Sequence, residues 1–151
     1  MAKLILIVGA TGLQGGSVFK ALYATGKYKN RALTRNPNSD VAKNLLKKYP
    51  GIELAKADAD DTASLRQAFR GADIVFGMTQ ANMMAKEQDP TCDEEYEHGK
   101  AIIDSAISEG ANSLVFSTLN SMNTNSGGKY PGVKHFESKC KAEQYLLSKS
   151  D

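Results

Sequence analysis

Short apolar runs alternate with amphipathic stretches along the whole chain. The runs predict strands at Leu4–Val8, Lys29–Thr34, Ile52–Ala57, Ile74–Met78 and Ser113–Thr118. Most are near-continuous apolar segments, as strands covered on both faces require. Between them, apolar residues recur three and four apart, which gathers them on one helical face. Val18, Ala21 and Leu22 mark the first helix, Val41, Leu45 and Tyr49 the second, and Leu65, Ala68 and Phe69 a short third. Tyr96, Gly99, Ile103, Ala106, Ile107 and Gly110 mark the fourth, and Phe136, Cys140 and Leu147 the fifth. Strand–helix units in this succession predict a doubly wound α/β domain with a parallel sheet in the order 3-2-1-4-5 and right-handed crossovers. Ligands then bind past the carboxyl ends of strands one and four, where the order reverses. Asn120 to Gly128, rich in Asn, Ser and Gly, reads as a loop on that edge: a mobile ligand loop or an ordinary connection.

The first strand runs into Gly9-Ala10-Thr11-Gly12-Leu13-Gln14-Gly15, and a helical pattern begins there. A strand, a glycine-rich turn and a helix form the context of a dinucleotide-binding fingerprint. Gly9 allows the tight turn, Gly12 lets backbone approach a pyrophosphate, and Gly15 lets the helix pack closely on the sheet. The helix start then offers unpaired N–H groups and a positive dipole end to phosphate. The spacing is Gly-x-x-Gly-x-x-Gly rather than the commoner Gly-x-Gly-x-x-Gly, and a plain strand-to-helix turn is the alternative.

Composition narrows the classes. The 151 residues are expected to form one domain, 1–151. A net charge of +2, from 19 basic and 17 acidic residues without a basic stripe, points away from direct nucleic-acid or membrane binding. Cys92 and Cys140 fit no metal spacing and read as free thiols of a reducing compartment. The first strand begins so early that no signal peptide is expected, and no apolar run nears the ~20 residues of a membrane span. The expected location is the cytoplasm, with the nucleus as the alternative.

Arg35 closes the second strand, where an Asp or Glu would bind the ribose hydroxyls of NAD and an Arg accommodates a 2′-phosphate. A solvated surface Arg is the alternative. Asp58-Ala59-Asp60-Asp61 follows the third strand. Asp58 there suits the adenine amino group, and Asp60 or Asp61 suits the cap of the next helix. Thr79 and Gln80 follow the fourth strand and suit backbone contacts on the nicotinamide side, with an ordinary polar loop as the alternative for their side chains. Ser117 and Thr118 end the fifth strand, where a reactive hydroxyl or routine hydrogen bonding are both open readings. Tyr130 and Lys134 have the spacing of a reductase Tyr-Lys pair, but Pro131-Gly132 puts Tyr130 ahead of the helix, so the pair is rejected. His135 and Lys139 are the better helical pair and the candidate catalytic residues, with a structural or solvated histidine as the alternative. Glu94, Glu95, Glu97 and His98 read as a solvated helix start, and no metal site is expected.

Gly9-Ala10-Thr11-Gly12-Leu13-Gln14-Gly15-Gly16, Leu33-Thr34-Arg35-Asn36-Pro37, Asp58-Ala59-Asp60-Asp61 and His135-Phe136-Glu137-Ser138-Lys139 occur in the order seen in the NmrA-like family of atypical short-chain dehydrogenases/reductases. The chain resembles that family over essentially its whole length. The resemblance implies a Rossmann-type domain that binds NADP(H), with NAD(H) as the other candidate. It implies that Thr11, Gly12, Leu13 and Gln14 contact the pyrophosphate, that Arg35, with Asn36 beside it, meets the 2′-phosphate, and that Lys139 lies near the nicotinamide ribose. Gly9, Gly15, Asp58, Ala59, Thr79, Gln80 and Ser117 complete the expected cofactor site. Family reductases use the lysine in catalysis; family redox sensors keep it without the tyrosine, and His135 fits the sensor-like pattern. Relatives run to roughly twice this length, so a C-terminal substrate domain is expected to be absent. The resulting reading is an NADP(H)-binding sensor or regulatory module with a regulatory protein partner. The alternatives are an NADPH-dependent quinone or isoflavone-type reductase without its second domain, and a protein-interaction domain with an empty cleft.

Overall fold

The computed structural model describes residues 2–81 and 91–149. Its sheet has five parallel strands, β1 (Leu4–Ile7), β2 (Lys29–Thr34), β3 (Glu53–Lys56), β4 (Ile74–Gly77) and β5 (Ser113–Phe116), in the order β3-β2-β1-β4-β5. The predicted order is the observed one. In the register, Ile5 stands opposite Asn30 on one side and Ile74 on the other. Strands β1, β4 and β5 stop short of Val8, Met78 and Thr118, and β3 omits Ile52 and Ala57. The cause is visible at the carboxyl edge. Val8 still donates to Phe76 O (2.9 Å), Ala57 to Thr34 O (3.2 Å) and Ser117 to Gly77 O (2.9 Å), after which each chain leaves the ladder.

The helices are α1 (Leu13–Ala24), α2 (Asp40–Lys48), α3 (Thr62–Phe69), α4 (Asp93–Ser108), the single turn α5 (Met122–Asn125) and α6 (Lys134–Leu147). Successive strand residues point to opposite faces. Ile5, Ile7 and Ala32 therefore join Phe19 of α1 in one buried cluster, with Leu45 and Tyr49 packed against it. Leu6, Leu33 and Val75 join Leu65 and Phe69 of α3 and Ile102 and Ala106 of α4 in the other.

The third helix buries the residues its spacing marked, but other faces differ. In α1 the buried residues are Gly15, Gly16 and Phe19, and Ala21 is exposed. In α2 Ala42 is buried and Val41 is 56% exposed. In α4 the inward stripe is Glu95, Gly99, Ile102, Ile103, Ser105 and Ala106, whereas Ile107 faces out. Leu147 at the end of α6 is exposed as well. The supposed loop Asn120 to Gly128 contains α5. Ser121 caps it, accepting from Thr124 N at 3.0 Å, and the Glu137 carboxylate accepts from Asn123 N at 3.0 Å. The Asn123 N–H, helped by the Ser121 hydroxyl, holds the Glu137 carboxyl below the usual carboxylate range. No helix among the described residues is long and apolar enough to cross a membrane.

Candidate functional site

A cleft of about 940 Å³ opens at the carboxyl ends of β1 and β4, bounded by the glycine loop, the ends of β2 and β3 and the start of α4. A cavity of about 480 Å³ adjoins it toward β5 and α6.

The glycine loop forms one wall. Gly9 has φ +69°, a conformation L side chains rarely adopt, and Gly12 N donates to Gly9 O at 2.9 Å to close the turn. A Cβ on Gly15 would strike the Gly9 carbonyl carbon and come within 2.6 Å of Val8 O. Gly15 is thus buried packing and does not line the cleft; Gly9, Thr11, Gly12, Leu13 and Gln14 do. Gly12, the N-cap of α1, supplies no side chain, and no acidic residue sits in the first turn. By contrast, Ser39 caps α2, Asp61 caps α3, and three acidic residues open α4. Among the described residues, the N–H groups of Leu13 and Gln14 have no backbone acceptor. The positive end of α1 is therefore left for an anion outside the chain.

At one end of the cleft stand Arg35, Asp58, Ala59 and Asp60. Arg35 is exposed at the end of β2. Asn36 does not line the cleft. It builds the turn after β2: its N–H donates to Thr34 Oγ1 (3.3 Å), its side chain accepts from Asn38 N (3.0 Å), and its carbonyl accepts from Ser39 Oγ (2.9 Å). Of the acidic run, Asp61 is the helix cap, accepting from Ser64 N at 3.1 Å. Asp58 turns its Oδ1 to Asp60 N (3.2 Å). Asp60 pairs with His98 Nε2 at 2.8 Å, joining the β3 end to α4 across the cleft rim. Asp60, Glu94 and His98 bring one ligand atom each within 4.8 Å of one another there.

The other end holds the catalytic candidates. Gln14, Thr79, Gln80, Ser117, His135 and Lys139 line the smaller cavity. Ser117 Oγ and the Gln14 side chain are within hydrogen-bond distance. The His135 ring lies edge-on to Phe136 with centroids 4.9 Å apart. Lys139 Nζ donates to Thr79 O (2.7 Å) and Thr79 Oγ1 (3.0 Å), and lies 2.8 Å from Glu95 Oε1. Glu95, assigned from sequence to a solvated face, is instead 3% exposed. It accepts from Thr79 Oγ1 at 2.9 Å and from Ser138 Oγ at 2.6 Å. The signal that could have found it is the helical period: Glu95 precedes Gly99, Ile102, Ile103 and Ala106 on the apolar face of α4. Tyr130 lies outside both cavities, exposed and ahead of α6, so no tyrosine lines the smaller cavity among the described residues. Asn82, which continues the segment after Gln80 and Ala81, falls outside the described residues.

Comparison with known proteins agrees with this architecture. The profile of the NmrA-like family matches residues 1–150. An NmrA-like family domain-containing oxidoreductase of Cladobotryum sp is 37% identical over 145 residues, 96% of this chain and 42% of that protein. One of Aspergillus hancockii is 39% identical over 143 residues, 95% of this chain and 41% of that protein. This chain thus spans less than half the length of these relatives. Among solved structures, NmrA, a negative transcriptional regulator, in complex with NADP superposes with a TM-score of 0.74 at 21% identity, over 97% of this chain and 42% of that one. An NADPH-dependent quinone oxidoreductase from Escherichia coli complexed with NADPH gives a TM-score of 0.72 at 21% identity, over 95% of this chain and 44% of that one. These structural likenesses establish the fold. The profile match and these relatives, in keeping with the parallel sheet and the glycine loop, identify the chain as a member of the NmrA-like family.

Proposed function

We propose that residues 1–151 form a dinucleotide-binding domain that takes NADP(H) and acts as a redox-sensing or regulatory module. The observation that carries the reading is the uncapped start of α1, facing the same cleft as Arg35. The helix end suits a pyrophosphate. A guanidinium at the end of β2 suits a 2′-phosphate, which it grips through paired hydrogen bonds. In this arrangement Asp58 and Ala59 flank the adenine, and Thr79, Gln80, Ser117 and Lys139 flank the nicotinamide half. When bound, the cofactor would supply hydride chemistry; the chain's own residues bind it, orient it and hold a cation beside it. The NADP complex of NmrA and the NADPH complex of the quinone oxidoreductase support a dinucleotide in this fold. The sensing role draws on the smaller cavity, whose described lining holds a histidine and a lysine but no tyrosine. Its partners in this reading are the dinucleotide and a protein that responds to it, in a reducing cytoplasm that suits a chain with only two cysteines.

Calorimetric titration with NADPH, NADP, NADH and NAD tests the reading. Saturable binding, tighter for the phosphorylated cofactors, is expected; no binding of any of the four overturns it. A reductase is the second reading, favoured by the oxidoreductase names of the relatives and by Lys139 at the cavity wall. NADPH oxidation followed by absorbance with quinones and aldehydes separates the two. Multiple turnovers abolished by Lys139→Ala would establish the reductase.

A further inference from the structure

Glu95 is the one charged residue in the buried class among the described residues. An ionised carboxylate removed from water is costly unless it is paired and hydrogen-bonded. Here it is both. Its oxygens meet the Thr79 hydroxyl after β4 and the Ser138 hydroxyl and Lys139 ammonium of α6. Lys139 is equally occupied. An ammonium has three protons, and Thr79 O, Thr79 Oγ1 and Glu95 Oε1 offer an acceptor for each. Lys139 is therefore a fixed cation. Its side chain is 15% exposed, on the wall that Thr79 shares between the larger cleft and the smaller cavity.

Packing alone does not call for such an arrangement. Replacing a buried ion pair by apolar groups of similar volume is often neutral or stabilising. What the network adds is a charge held at one place. We propose that Glu95 is a positioning residue: it fixes the Lys139 ammonium against the end of β4, and through Lys139 sets the affinity of the site for the nicotinamide half of a dinucleotide. The proposal rests on the cofactor reading given above, but its first element, the fixing of Lys139, does not.

Glu95→Gln keeps the shape and one acceptor oxygen and removes the charge. NADPH and adenosine 2′,5′-bisphosphate, which represents the adenine half alone, are titrated into wild type, Glu95→Gln, Lys139→Met and the double variant. NADPH affinity is expected to fall about tenfold in either single variant and no further in the double, because residues acting as one unit are not additive. The bisphosphate is expected to bind all four equally. Additive losses, unchanged NADPH affinity in Glu95→Gln, or an equal loss for the bisphosphate each overturn the proposal. If Glu95→Gln does not fold, Ser138→Ala frees the carboxylate from its other side. A loss of NADPH affinity without loss of the bisphosphate is expected there, and unchanged affinity for both overturns the proposal. Nitrogen-15 NMR of the cofactor-free protein is the independent arm. A slowly exchanging Lys139 ammonium signal is expected in wild type and its loss in Glu95→Gln; no wild-type signal overturns the fixing of Lys139. Failure of wild type to bind NADPH or the bisphosphate while that signal is present would instead overturn the cofactor reading and, with it, the affinity claim.

Discussion

Gln14 and Ser117, 103 residues apart in sequence, meet through the Gln14 amide and the Ser117 hydroxyl at 2.9 and 3.2 Å. The contact ties the first turn of α1 to the end of β5, across the place where the strand order reverses. Ser117→Ala removes it. The pair is exposed, so the expected loss of stability is about 0.5–1 kcal/mol, at the low end for a hydrogen bond. Urea unfolding of the two proteins measures it.

Two glycines of one loop are expected to fail differently. A Cβ at Gly12 would lie 3.3 Å from Gly9 O, close enough that the loop must give slightly, whereas one at Gly15 would overlap the Gly9 carbonyl. Gly12→Val is therefore expected to fold and lose dinucleotide binding. Gly15→Ala is expected to lose on the order of 3 kcal/mol of stability through overpacking. Calorimetric binding and thermal unfolding of both variants distinguish the two effects; unchanged affinity in Gly12→Val would refute the pyrophosphate role.

Arg35 bears on cofactor choice. A charge-assisted hydrogen bond contributes about 1.5–3 kcal/mol. Arg35→Ala is thus expected to weaken NADPH roughly ten- to a hundredfold and leave NADH nearly unaltered. Equal losses for both would make Arg35 structural. Asn38, Ser39 and Asp40 supply no second cation, so the wild-type preference is expected to be modest.

Tyr145 of α6 donates to Asp104 Oδ1 of α4 at 2.6 Å. That bond, with burial and the Asp104 charge, pushes the phenol from 10.0 up to about 12. The protonated form is the one the folded state favours. The contribution is therefore fully present below pH 10 and is lost as pH rises through about 12. A late phenolate absorbance phase is expected, provided the chain stays folded, and Tyr145→Phe should remove it. A titration identical in the variant would refute the assignment.

Much of the fold is legible in the sequence. The strand order follows from strand–helix alternation and crossover handedness, which leave few arrangements. The glycine loop follows from steric needs that only glycine meets at Gly9 and Gly15. Helix faces were less legible. Ala21 and Val41 fit an apolar period, yet the small residues Gly15, Gly16 and Ala42 take the buried positions where backbones approach closely. The helical period could have placed Glu95 on the apolar face of α4, but its role is not legible in the sequence. A carboxylate at a helix start reads as solvated, and its partners Thr79, Ser138 and Lys139 lie 16, 43 and 44 residues away. Only the fold brings them to it.

Helix α6 is fastened to α4 by polar links along its length: Ser138 and Lys139 to Glu95, Lys141 to Asp93 and Tyr145 to Asp104. The smaller cavity consequently exists only while that helix is docked. Any undocking of α6 would weaken the cavity's grip on a ligand in proportion, because apparent affinity scales with the competent population. The glycine loop, built on α1 and the sheet, does not depend on that docking. The two ends of the cleft are therefore anchored independently: the lysine end hangs on the seam between two helices, and the glycine end on the sheet itself. Under the cofactor reading, loosening that seam would cost a dinucleotide its nicotinamide contacts and spare its phosphates.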